Sequence, residues 1–351
     1  MDECIKIAQC FLSDVTKENT EISIVESGLI NNTFRLKVHN QTYIVQRINR
    51  DVFKNPKIIH FNYSKVSEHL LESKYPIHRL DFIKSFNGDE LVIHENEAWR
   101  ISRYIEGEAH HICNSLEMAF NAAKALAEFH YCTKDMDVKK IEEPIQGFCD
   151  FSYRLMEFKE SLISGDANRR SIANELIESL NANLNYVIEY IKLEKQLAIR
   201  IIHGDPKVSN FLFEKHNAQV ISLIDIDTIM PGTILYDFGD LVRSFSNKTI
   251  EDSKTDNNCF EPRVYESLMS GYLSVGNQFM SKEEEEGLGL AAMTVSLIQS
   301  LRFLTDYLNL DIYYKVADTD QNFDRASNQY SFFKEIKDYL SLQKSIYDGN
   351  K

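Results

Sequence analysis

Apolar positions follow two different rhythms along this chain, and the change from one to the other divides it. Ile5, Ala8, Phe11 and Leu12 share one face of a helix predicted over residues 3–13. Alternation then predicts short strands near 21–26, 33–38 and 42–48, the last two joined by a turn at His39-Asn40-Gln41. A helix over 56–74 and strands near 80–86 and 90–95 follow. Next comes an apolar strand, Ala98 to Ile105, that runs into a linker at Gly107. From there helical spacing dominates. A helix over 115–133, with Asn114 as cap and Glu117 three residues later, places Leu116, Phe120, Ala123, Ala127 and His130 on one face. His130 is therefore expected at the edge of the core rather than on a metal. A second long helix over 170–193 carries Ile172, Leu176, Leu180, Leu184, Val187 and Ile191, and helices near 262–275, 282–308 and 325–344 complete the chain. The predicted class is α+β, with two lobes. Residues 1–105 form a small antiparallel sheet with a helix, and residues 106–351 form a mainly helical lobe.

One polar stretch interrupts the helical part. Ile202-His203-Gly204-Asp205-Pro206-Lys207-Val208-Ser209-Asn210 is followed by the apolar run Val220-Ile221-Ser222-Leu223-Ile224, which ends in Asp225. An Asp, an Asn five residues on and an Asp closing a buried strand have the spacing of a kinase catalytic loop. Asp205 would accept the proton of an attacking hydroxyl, and Asn210 and Asp225 would offer hard oxygens to Mg2+ between the phosphates of ATP. The other reading is a polar turn joining two strands. Asp237-Phe238-Gly239 spells a second kinase motif, yet it opens a helix instead of closing a strand. Asp237 is accordingly expected to cap that helix and brace the catalytic loop, with Asp227 between the two roles.

These elements in this order predict a protein-kinase-like fold, and with it the nucleotide contacts. The hairpin Ser27-Gly28-Leu29-Ile30-Asn31-Asn32-Thr33 occupies the place that covers phosphates. It has one glycine, so backbone amides and the side chains of Asn31, Asn32 and Thr33 are the candidate ligands. In the third strand, Gln46 stands in register with the usual lysine while Arg47 beside it carries the charge. Alternation puts the two on opposite faces. Glu68 on the next helix is either the acidic partner of that cation or a solvated helix charge. Backbone groups around Tyr104, Ile105 and Glu106 are expected at the adenine edge. Late in the chain Arg302 and its neighbours either line an acceptor pocket or form a surface ion pair.

Composition narrows the acceptor. A formal net charge of −14 over 351 residues argues against nucleic acid or an anionic membrane as partner and favours a neutral or cationic small molecule. The six cysteines, Cys4, Cys10, Cys113, Cys132, Cys149 and Cys259, are scattered without a CxxC pair, as expected of thiols in a reducing cytoplasm. No apolar run is expected to span a membrane.

His203-Gly204-Asp205…Asn210 with Leu223-Ile224-Asp225 resembles the aminoglycoside phosphotransferase and choline kinase superfamily of small-molecule kinases. Tyr43-Ile44-Val45-Gln46-Arg47-Ile48-Asn49, Ile224 to Gly232, Tyr236-Asp237-Phe238-Gly239-Asp240 and Arg302-Phe303-Leu304-Thr305-Asp306-Tyr307-Leu308 look like its N-acetylhexosamine 1-kinase branch. The resemblance implies Mg-ATP-dependent phosphorylation of the anomeric hydroxyl of N-acetylglucosamine or N-acetylgalactosamine. Asp205 would then be the base, Lys207 would lean on the transferred phosphoryl group, and Arg302 and Tyr313 would touch the sugar. Two rivals stay open: a same-fold kinase of an aminoglycoside, choline or another amino alcohol, and a nucleotide-binding pseudokinase.

Overall fold

Period-two alternation builds one five-stranded antiparallel sheet in the first third of the chain. The computed structural model describes residues 2–25, 30–249 and 258–349. Helix α1 (Asp2–Ala8) precedes β1 (Thr20–Val25), β2 (Asn32–Val38) and β3 (Gln41–Ile48), then come α2 (Pro56–Glu72), β4 (Val92–His94) and β5 (Glu97–Arg103). The strand order is β1-β2-β3-β5-β4. Leu36, Val38, Tyr43, Val45, Trp99 and Ile101 pack on Cys4, Ile7 and Ala8 of α1 and form the core of this lobe. The alternate residues, Ile44, Gln46, Arg100 and Ser102, face the cleft instead. Gln46 and Arg100 are cross-strand neighbours.

The rest is mainly helical, as a protein-kinase-like fold requires. Helices α3 (Leu116–Thr133), α4 (Phe151–Ser164), α5 (Ala167–Ile172), α6 (Asn174–Asn181) and α7 (Leu184–Glu194) lead to two short hairpin-like sheets. Strand β6 (Arg200–Ile202) pairs with β9 (Met230–Gly232), and β7 (Phe211–Phe213) pairs with β8 (Val220–Leu223). Helices α8 (Ile234–Phe245), α9 (Pro262–Gly276), α10 (Lys282–Leu308) and α11 (Gln321–Gly349) close the lobe, with α10 packed against α4, α7, α8 and α11.

Several expectations change in detail. Residues 80–86 make only an isolated bridge, Phe82 to Ser102, instead of a strand. The helix expected over 170–193 is broken into α5, α6 and α7. Its apolar stripe is continuous, but Ala173 (ψ 5°) and Asn183 (ψ 4°) leave helical geometry, and Asn-rich sequence around 181–183 is a weak helix former. Ser115, not Asn114, caps α3, its hydroxyl accepting from Met118 N. That moves Glu117 out of capping-box register, and the capping box is found at Ser281 and Glu284 on α10. By length and composition α10 could cross a membrane, contrary to the sequence expectation. However, 72 % of its apolar window is buried inside the protein, as in a core helix. Ser27, Gly28 and Leu29 of the phosphate-covering hairpin lie outside the described residues.

Candidate active site

The loop from His203 to Asn210 owes its shape to buried polar contacts. Asp237 is wholly buried, and its two carboxylate oxygens accept from His203 N (2.7 Å) and Gly204 N (2.8 Å). His130 adds a third bond, Nε2 to Asp237 Oδ2 at 2.9 Å, with its Nδ1 on the Tyr272 hydroxyl at 2.7 Å. Gly204 has φ +83°, and a Cβ there would meet Thr228 O at 2.5 Å, so only glycine fits. Burial depresses the His203 pKa and keeps the ring neutral. Its Nδ1 lies 3.4 Å from Asp205 N and its Nε2 lies 3.1 Å from Ile224 O. Those contacts fix the tautomer with the proton on Nε2. They also tie the base loop to the strand that delivers Asp225.

Asp205 Oδ2 accepts from Lys207 Nζ (2.6 Å) and Asn210 Nδ2 (3.0 Å), which leaves Oδ1 for an acceptor hydroxyl. Asn210 Nδ2 also donates to Asp205 O (2.7 Å), so its amide oxygen points the other way. Ile224 N donates to Asn210 O at 2.9 Å and brings Asp225 alongside. Asp225 adopts the left-handed conformation, φ 60° and ψ 56°, at the turn out of β8. Its carboxyl pKa is pushed up to about 6, first by burial and then by the nearby Asp227 carboxylate. Crowded, buried carboxylates of this kind suit a cation. Among the described residues no cluster of three or more His, Cys, Asp or Glu side chains could hold a metal alone. An Asn oxygen plus one Asp, completed by phosphate oxygens, is what a kinase offers Mg2+, and Asn210 with Asp225 fits that set.

Two cavities meet at this loop. The first, about 330 Å³, lies between the lobes and has apolar walls from Ile30, Ile44, Leu80, Leu212 and Ile224. Tyr104, Ile105 and Gly107 form its far side, and Lys207, Asn210 and Asp225 its floor. Tyr104 N bonds to Thr42 O and Glu108 N to Phe213 O, so the backbone at 105–107 hangs between two fixed points. The second, about 130 Å³, contains Asp205 and Lys207 with Tyr236, Gln299, Arg302, Tyr313, Tyr314, Lys315 and Arg325. Lys207 lines both. Asp205 thus faces the second cavity while the candidate metal ligands face the first.

Residues 21–266 match the model of the phosphotransferase enzyme family, abbreviated APH. The chain belongs to that family. Solved structures of similar fold include a microcompartment-associated aminopropanol kinase, with TM-score 0.67 at 15 % identity and 97 % of each chain covered. Choline kinase from Cryptosporidium parvum Iowa II gives 0.61 at 16 % identity, covering 98 % of this chain and 97 % of the other. The spectinomycin phosphotransferase APH(9)-Ia, solved with ADP and spectinomycin, gives 0.58 at 12 % identity, covering 95 % and 93 %.

In this phosphotransferase the residues singled out in the sequence scatter unevenly. Asp205, Lys207, Asn210 and Asp225 come together as described. Thr33 lines the cavity between the lobes and accepts from Gln46 Nε2 at 3.2 Å. Asn31 also reaches it, but its amide is committed, donating to Asp227 Oδ2 (2.7 Å) and accepting from Asn49 N (3.0 Å). Asn32 and Arg47 face away. Pleating turns Arg47 to the outer side of β3, over the Trp99 ring at 5.8 Å, with the Asn32 side chain beside it. Glu68 is no partner for a phosphate-gripping cation: it lies on the exposed side of α2, 3.6 Å from Lys65. The Glu106 side chain also points out, to Lys215 at 2.6 Å, which leaves its backbone alone for the adenine edge. Asp237 sits within the first turn of α8, whose cap position is Thr233, so it braces the loop without capping the helix. Arg302 and Tyr313 both line the second cavity.

The residue that sequence reasoning missed is Arg100. It is 1 % exposed, lines the cavity between the lobes, and comes from β5 opposite Gln46. Its Nε donates to Gln46 Oε1 at 2.9 Å, and its Nη1 lies 2.7 Å from Asp227 Oδ1. An arginine between Trp99 and Ile101, on the alternate face of the strand from both, was the available signal.

Proposed function

We propose that this phosphotransferase uses Mg-ATP to phosphorylate a sugar, specifically the anomeric hydroxyl of an N-acetylhexosamine such as N-acetylglucosamine or N-acetylgalactosamine. The observation that carries the reading is the charge of the acceptor pocket. Beside Asp205 it gathers Arg302, Lys315, Arg325, Arg243 and Lys207, against Asp205 and Asp240 as carboxylates among the described residues. Arg243 pairs with Asp240 and Lys207 with Asp205, so the positive excess comes from the other three. A quaternary ammonium or a polyamine-like sugar would meet like charge there, while hydroxyls, an acetamido oxygen and aromatic faces suit Arg302, Tyr313 and Tyr314. Arg302 lies 4.9 Å over Phe148 and donates to Gln299 at 3.0 Å, so its fork is held in place before any ligand arrives.

The chain's own groups account for the chemistry. Nucleotide base packs in the apolar cavity between Ile30, Ile44, Leu212 and Ile224; a spectinomycin phosphotransferase of similar fold has been solved with ADP. Arg100 replaces the missing β3 lysine as the buried cation beside the phosphates. Asn210 and Asp225 would hold Mg2+, which when bound would neutralise phosphate charge. The acceptor oxygen attacks the γ-phosphorus, the bond to the β-bridging oxygen breaks, and the hydroxyl proton passes to Asp205 Oδ1. A hemiacetal hydroxyl is more acidic than an ordinary alcohol, so positioning outweighs base strength. Lys207, shared by both cavities, offsets charge on the group in flight.

The test is ADP release from Mg-ATP with N-acetylglucosamine, N-acetylgalactosamine, glucose, choline and an aminoglycoside as separate acceptors. The acetylated sugars are expected to turn over best. Turnover with choline or the aminoglycoside alone overturns the sugar reading, and ATP binding with no turnover on any acceptor moves the protein to a nucleotide-binding pseudokinase.

A further inference from the structure

A third cavity, about 440 Å³, opens on the outer side of β3 beyond the acceptor pocket. Its cations are Arg47, Arg50, Lys54 and Lys315, and it shares Ile30, Asn49 and Lys315 with the acceptor pocket. Lys315 therefore stands at the junction of the two. Asp51 and Glu97 also reach this cavity, and Asp51 lies 4.0 Å from Lys54 while itself fully exposed. Among the described residues Arg47, Arg50, Lys315 and Arg302 have no carboxylate within 4.0 Å. Neutral groups position two of them. Arg50 Nη1 donates to Asn96 O (2.5 Å) and Oδ1 (2.6 Å), and Arg47 rests over Trp99.

A chain of net charge −14 has acidic side chains to spare, and Asp51, Glu97, Asp205 and Asp240 reach these two adjoining cavities, yet among the described residues Arg47, Arg50, Lys315 and Arg302 are held by none of them. Low-dielectric walls focus such a field. A planar guanidinium held by a neighbour is preorganised for the two oxygens of a phosphate or carboxylate. The concavity begins at the base, Asp205, and ends at Arg47 and Arg50, so a ligand filling it has its reacting hydroxyl at one end and its charge at the other.

We propose that the acceptor sugar carries an oxyanion, a phosphate or carboxylate remote from the reacting hydroxyl, and that Lys315, Arg50 and Arg47 bind it in this cavity. The inference rests on the sugar reading of the acceptor pocket and deepens it. It also distinguishes the two faces of β3: Gln46 serves the nucleotide side, while Arg47, one residue on, serves the acceptor.

The experiment compares kcat/KM, at saturating Mg-ATP, for N-acetylglucosamine, its 6-phosphate and glucuronic acid, in the wild-type protein and in Lys315→Ala and Arg50→Ala. An anionic sugar is expected to be preferred over the neutral one, and each substitution is expected to lower that preference about tenfold or more, the worth of one hydrogen bond to a charged group. Inorganic phosphate is added in a parallel arm with the neutral sugar. If phosphate alone changes neutral-sugar turnover, Lys315→Ala removes that response, and the anionic sugars gain nothing, the site serves a free anion and the proposal is overturned. Equal use of neutral and anionic sugars, or a preference that survives both substitutions, also overturns it and leaves the sugar kinase standing. No turnover with any sugar refutes the sugar reading itself, and this inference with it.

Discussion

Arg100 offers the sharpest perturbation, because its charge is out of water and its partners are known. The guanidinium and Asp227 are 1 % and 2 % exposed and 2.7 Å apart. Arg100→Met keeps an unbranched apolar stem and removes the charged head, leaving Asp227 buried with Asn31 as its remaining donor at 2.7 Å. Stranding one partner of a buried ion pair costs about 3–5 kcal/mol, out of a typical total of about 5–15 kcal/mol. Gln46 Oε1 loses its donor as well. Urea unfolding should therefore show a midpoint far below wild type at unchanged slope. Adding Asp227→Asn removes the stranded charge while preserving an acceptor for Asn31, and the double variant should regain about 1–3 kcal/mol as coupling energy. The functional readout is separate: since Arg100 lines the nucleotide cavity, KM for ATP in the double variant should stay raised about tenfold or more, an interaction of about 1.4 kcal/mol. Arg100→Met within about 0.5 kcal/mol of wild type would refute the clasp, and a double variant with normal KM for ATP would refute the phosphate role.

Asp205→Asn should fold and bind Mg-ATP normally but lose about 10²–10⁴ in kcat, the usual worth of a general base; near-normal turnover takes Asp205 out of that role. Asp225→Ala should abolish metal-dependent turnover and weaken Mg-ATP binding in calorimetry. Asp237→Ala should instead unpair His203 N, Gly204 N and His130, costing about 3 kcal/mol or more of stability. A stable Asp237→Ala that cannot bind Mg2+ reverses the assignment of the two aspartates. Glu194 gives a pH prediction. Burial, then the Asp150 carboxylate, raises its pKa to about 7. The folded state thus holds a proton that the unfolded chain has released, and stability falls as pH rises from about 4.5 to about 7. Glu194→Gln should match wild type below pH 4 and exceed it by up to about 3 kcal/mol above pH 8 in thermal or urea unfolding; parallel curves at all pH values contradict the shift.

The fold was legible because both of its signals are local. Alternation from Glu21 to Ile48 and helical spacing from Leu116 onward each report a face that must be buried. The Asp205, Asn210, Asp225 spacing is likewise set by one loop and one strand, so the sequence displays it directly. What escaped was long-range. The partner of Gln46 is Arg100, fifty-four residues on, and only strand pairing brings them together. Asn31 and Asn32 are adjacent in sequence yet fall on opposite faces, one clasping Asp227 and the other beside Arg47. Glu68 failed because its choice depended on helical phase, and α2 turns that position outward to Lys65. Asp237 looked like a cap from its place at a helix start. Its depth below the catalytic loop, where three donors converge on it, needed coordinates.

The most direct check of the central claim is the identity of the product. Incubation with Mg-ATP and N-acetylglucosamine or N-acetylgalactosamine, followed by phosphorus NMR, should show one sugar phosphate whose phosphorus couples to the anomeric proton. A phosphate on any other hydroxyl, or a phosphorylated product only from choline or an aminoglycoside, would contradict the account.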